Sequence, residues 1–140
     1  MVNYDPSMAD DVAEYLSDNG MGNVGRDIFV NNPPVNKNSF FLITDTGGAA
    51  PEQYYALDHP SVQVAYYGAS GGSNAHAKAV QQIWDAYHLL NRKQNIDIGS
   101  RDAMYSRAVA TPQNIGLDPE KKRWLWVFNV MFKIRGVDGQ

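Results

Sequence analysis

From Arg123 to Arg135 the chain alternates with a period of two. Trp124, Trp126, Phe128, Val130, Phe132 and Ile134 make one wholly apolar face. The other face reads Arg123, Leu125, Val127, Asn129, Met131, Lys133 and Arg135, and is mixed. Successive side chains of a strand point to opposite sides at ~3.3 Å per residue, so this run predicts a ribbon close to 40 Å long. A strand of that length, apolar along one side, belongs in the middle of a sheet. Its second face is expected to meet a helix or a neighbouring subunit.

The rest of the chain supplies partners for that strand. Asp5-Pro6-Ser7 predicts a helix start, with Asp5 as cap and Pro6 where a missing N–H costs nothing. Met8, Val12, Tyr15 and Leu16 share one stripe, and Asn19-Gly20 ends the helix. Short strands are expected at 28–30 and 39–44, joined by a turn-rich connector with two prolines. Residues 61–67 alternate, with Val62, Val64 and Tyr66 on one side. Ser73 is the expected cap of the main helix, 74–90, whose stripe is Ala79, Val80, Ile83, Trp84, Tyr87 and Leu90. Further strands are expected at 96–98 and 104–110. Two long loops, 45–60 and 111–121, are read from their glycines and prolines. Strands joined by loops rather than helices predict an α+β fold in α-β-β-β-α-β-β order: one domain over residues 1–140, a mostly antiparallel sheet flanked by two helices.

Composition narrows the function. The chain has 140 residues, enough for one domain with a full core and too few for a TIM barrel. Charged residues are 19% against the ~25% typical of soluble domains, while Tyr, Trp and Phe number 8, 3 and 5. That balance suits a subunit that hides surface against a partner. Twelve Lys and Arg face 15 Asp and Glu, which argues against a dedicated nucleic-acid binder. The absence of cysteine excludes disulfides, Cys-based zinc or iron–sulfur sites and thiol catalysis. Met1 to Met8 lacks the apolar run of a secretory leader. The longest apolar run, Trp124 to Phe128, is far short of the ~20 residues that span a membrane.

The motifs that could carry chemistry fail on their partners. Gly68-Ala69-Ser70-Gly71-Gly72 matches G-x-S-x-G between a strand and a helix, the context of a nucleophile elbow. A triad needs an acid and then a His after the Ser. Here the last His is His88, and the only intervening acid, Asp85, lies on the same helix. Asp85 and His88 could share a metal at i, i+3, but no second pair accompanies them. Lys121, Lys122 and Arg123 read as a solvated hairpin end. No catalytic, metal or cofactor residue is therefore expected, and the chain reads as a non-enzyme.

One ordered set of motifs goes further. Asn19-Gly20-Met21-Gly22 closes the first helix and Asp27 to Val30 follows. Then come Thr44-Asp45-Thr46-Gly47-Gly48-Ala49-Ala50-Pro51 and Leu57-Asp58-His59-Pro60-Ser61-Val62-Gln63-Val64. A long helix follows, then Pro112, Gly116 and Asp118 before the last strand. This order, over about residues 8 to 135, resembles the minor capsid and tail terminator proteins of phages with long non-contractile tails. The resemblance implies a structural virion protein at the head–tail junction, made in the host bacterial cytoplasm. It implies a homohexameric ring that caps the tail tube, stops its elongation and joins it to the head connector. DNA would pass through the lumen without being read, and no membrane is involved.

The residues expected at subunit or partner contacts are Gly47, Gly48, Pro51, Tyr54, Tyr55, Asp58, Pro112, Asn114 and Asp118. They lie in the two long loops, natural arms of a head-to-tail interface. Tyr54 and Tyr55 are expected either to anchor a partner or to pack back on their own domain. The alternatives are a head-completion or connector-adaptor protein, and a small serine hydrolase centred on Ser70.

Overall fold

The computed structural model describes residues 7–49, 57–69, 74–117 and 122–135, with the side chains of 48, 49, 57 and 58 excepted. The first helix, α1 (Met8–Asp18), starts at Ser7 rather than at Asp5, which lies outside the described residues. Ser7 wins because a partner sits three residues on: its hydroxyl accepts the Asp10 N–H, and the Asp10 carboxylate accepts the Ser7 N–H. Asn19 caps the other end, and Gly20 follows at φ 85°.

Seven strands follow: β1 (Ile28–Val30), β2 (Phe40–Ala49), β3 (Leu57–Tyr67), β4 (Lys93–Ile98), β5 (Arg101–Ala108), β6 (Gln113–Leu117) and β7 (Trp124–Arg135). The second helix, α2 (Ala75–Leu90), lies between β3 and β4. The class is α+β, as expected, with two helices and one mostly antiparallel sheet. Its order is β1-β2-β3-β7-β5-β4, with β6 also beside β7. Among the described strands only the β1–β2 pair is parallel. The long alternating strand is central: β3 flanks one side, and β5 and β6 share the other.

Both long loops are corrected. Residues 45–60 are largely strand, because β2 runs on to Ala49 and β3 begins at Leu57. The ladder survives its glycines through a bulge: the register shifts between Asp45 and Gly47, and Gly47 takes φ 90°. It survives Pro60 because Pro60 pairs with Gly48, while the β7 ladder passes from Asp58 to Ser61. Asp45 is a clamp. Its carboxylate accepts the Ala9 N–H at 2.9 Å and Asn31 Nδ2 at 3.0 Å, and its own N–H donates to Asn31 Oδ1. The second loop, 111–121, contains β6, admitted by a bulge at Gly116, φ 123°.

The core lies between the sheet and the two helices. Phe41, Ile43, Val62, Val64, Tyr66, Phe128, Val130, Phe132 and Ile134 meet Val12 and Leu16 of α1 and Ile83 and Leu90 of α2. Inside this layer Asp11 ties α1 to the β4–β5 turn. Its carboxylate accepts the Ser100 N–H at 2.9 Å, the Ser100 hydroxyl at 3.0 Å and Arg101 Nε at 2.7 Å. Gly99 is required there, because a Cβ would press into Asp11. Arg123 is buried, not solvated. Its guanidinium lies over the rings of Phe40 and Tyr67, at 5.3 and 5.2 Å, and donates to the Lys37 carbonyl.

Candidate assembly surface

Reaction chemistry does not assemble on the described residues. Ser70 lies outside them, so the G-x-S-x-G stretch has no described geometry. The Asp85 carboxylate accepts from Gln81, and the His88 ring packs against Trp84 and Tyr87. His76 sits 4.5 Å from the Trp124 ring and 6.0 Å from Trp126. Among the described residues no group of three or more His, Cys, Asp or Glu could hold a metal. Clear shifts in acidity follow local structure: burial raises the Tyr15 and Tyr66 hydroxyls, while the Asn23 N–H and then Arg26 lower the Asp27 carboxyl.

Strand edges are more informative. An unpaired edge is a row of open N–H and C=O groups, and proteins usually block it. The β1 edge is short and filled: the Ile28 N–H donates to Asn23 O, and Ile28 O accepts the Gly25 N–H. The β4 edge carries Lys93, Gln94, Asn95 and Asp97, and Asn95 is twisted to φ 51°. Charge and twist are the usual blocks on strand addition.

β6 has neither. Its sequence, Gln113-Asn114-Ile115-Gly116-Leu117, holds no charge. Among the described residues it pairs only with β7, leaving its outer side open. Ile115 is 56% exposed, Leu117 47%, and Val109, just before it, 62%. Beside β6, its partner strand carries Trp124 and Trp126, on which His76 packs, and the buried Trp126 Nε1 has no hydrogen-bond partner. An uncharged open edge flanked by exposed apolar side chains is a surface made to be covered.

The described ones among the expected contact residues do not gather on this surface. Asn114 stands on β6, exposed, with its side-chain oxygen accepting the Gly116 N–H. Pro112 is buried at the start of the strand, so its surface is spent within the chain. Gly47 forms the β2 bulge, and Gly48 is its neighbour in the ladder. Asp58 pairs with Ile134 inside the sheet. Pro51, Tyr54, Tyr55 and Asp118 lie outside the described residues. Sequence reasoning missed Ile115, Leu117 and Val109. Ile115 and Leu117 were two apolar residues in a stretch read as a loop, and Val109 lay in a stretch read as strand.

No curated protein matches this chain. A family model described as bacteriophage tail terminator protein matches residues 15–135, from the middle of α1 to the last residue of β7.

Proposed function

The chain belongs to the bacteriophage tail terminator family, and we propose that copies of it close into a ring, of six subunits as the sequence resemblance implies, on the end of the tail tube. The ring stops tube growth and presents a face to the head connector. It acts by shape and contact, without catalysis. DNA passes through its opening and is not read.

The observation that carries this reading is the open β6 edge. A subunit that caps a growing assembly needs a surface that is finished only by another protein. Among the described residues β6 carries no charged guard on its outer side, and Ile115 and Leu117 add apolar area. The low overall charge and the aromatic content fit the same demand. No helix among the described residues is long and apolar enough to cross a membrane.

The test is electron microscopy of particles from a phage lacking this gene. Abnormally long tails support termination. Tails of normal length beside unjoined heads would move the protein to the head side as an adaptor. Gold-labelled antibody should mark the head–tail junction once per particle and stay with the tail when heads are removed.

A further inference from the structure

Charge is divided unevenly along this chain. Residues 1–60 hold nine acids against two bases, and residues 61–140 hold six acids against ten bases. The fold turns that division into two unlike patches.

The acidic patch is the outer side of α1. Asp10, Glu14 and Asp18 are exposed and spaced by four, so they form one row about 12 Å long. The helix has no basic residue, and Asp18 sits in its last turn, where the helix dipole disfavours an anion. Like charges four apart also repel one another. Asp11, the other acid of the helix, turns inward to Arg101, but none of the three outer acids makes an ion pair among the described residues. Asp10 is offset by its capping bonds with Ser7 and its place in the first turn, but Glu14 and Asp18 gain no such compensation within their own subunit.

The basic patch is a cleft of about 390 Å³ between the starts of β4 and the ends of β5, lined by Arg92, Lys93, Gln94, Tyr105, Ser106 and Arg107. Its frame is rigid. Lys93 pairs with Ser106 and Gln94 with Tyr105, and the buried Ser106 hydroxyl donates to the Leu90 carbonyl. Arg92 is held at φ 58° where α2 passes into β4. Among the described residues no acid lines the cleft, and Arg92, Lys93 and Arg107 make no ion pair.

We propose that the lateral contact of the ring, a proposal that rests on the ring reading above, seats the Asp10–Glu14–Asp18 row of one copy against the Arg92–Lys93–Arg107 cleft of the next. Two unlike patches on one chain make a head-to-tail contact, which closes into a ring when the rotation allows. Opposite charge fixes the orientation and speeds encounter. It also disfavours pairing of like patches, which would stop growth at a two-fold dimer.

The test is a charge swap, read as the yield of normal-length tails when the gene is supplied to a phage lacking it. Glu14→Lys with Asp18→Lys makes one variant, and Arg92→Glu with Arg107→Glu the other. Asp10 is left in place because it caps α1. Circular dichroism and thermal melting check that both variants fold. Each alone should lower the yield about ten-fold or more, because like charges then face each other at every contact. Expressed together they should restore it, since an alternating ring pairs acid with base at every junction. Either variant acting like the wild type overturns the proposal. So does failure of the pair to rescue, which would assign the cleft to another anion, such as the phosphates of the passing DNA. Failure of the wild-type gene to restore tail length would instead remove the ring reading itself.

Discussion

The two halves of β7 sit in different surroundings. From Val130 to Ile134 it is flanked by β5, and β5 by the guarded β4 edge. Val130 and Phe132 are fully buried there beneath the helices. From Trp124 to Val127 its neighbour is β6, and nothing described lies beyond. Trp124 and Trp126 are only half-buried. One strand thus anchors the fold at one end and borders an open edge at the other. Stability and assembly are separable along its length, and mutations should separate them.

The largest effect is expected in the anchored half. Phe132→Ala should cost about 3–5 kcal/mol in chemical denaturation, through lost burial and the cavity left behind. In the open half, Ile115→Lys with Leu117→Lys should change stability by less than about 0.5 kcal/mol, yet abolish capped tails. A large loss of stability in that double variant would break the comparison, because β6 would then belong to the core. Guarding can be tested by its removal. Asp97 stands opposite Asp102 on β5, a like-charge pair. Asp97→Val should raise stability by about 0.2–1 kcal/mol while opening the β4 edge, read as concentration-dependent light scattering absent from the wild type.

The smallest effect lies away from β7 altogether. The Asn23 N–H, with help from Arg26 and Lys37, holds the Asp27 carboxyl below its ordinary value. A carboxyl lowered in the folded state adds stability above its unfolded value, near 3.9. That contribution is lost as the pH falls through the lower, folded value. Asp27→Asn should therefore lower stability slightly at neutral pH and flatten its acid decline below about pH 4. Equal acid sensitivity in variant and wild type would refute the assignment.

Periodicity explains what could be read in advance and what could not. The central place of β7 was legible because its side chains alternate over a dozen residues and leave no polar break on one face. The α2 stripe and the Asn19-Gly20 stop were legible for similar reasons. The second half of β2 was not. Asp45-Thr46-Gly47-Gly48-Ala49 has no apolar alternation, and its strand character comes from pairing with β3 and from the Asp45 clamp, both long-range. β6 hid behind Pro112 and Gly116, residues that mark loops unless a bulge absorbs them. The candidate surface was half legible: Asn114 was named, but Ile115 and Leu117 stand out only once the edge beside them is seen to be open. The cleft was invisible, since Arg92 and Arg107 are brought together by the β4–β5 register.

The position of β7 in the chain also bears on how the protein is made. It leaves the ribosome after every other described element, yet it is the strand that joins β3 to β5 and β6. Until it emerges, the nascent chain holds two separate pieces, β1-β2-β3 and the β4–β5 hairpin, each with an open inner edge. Pairing across such distances in sequence is slow and leaves those edges exposed meanwhile. The sheet can close only once β7 is available to pair β3 with β5 and β6.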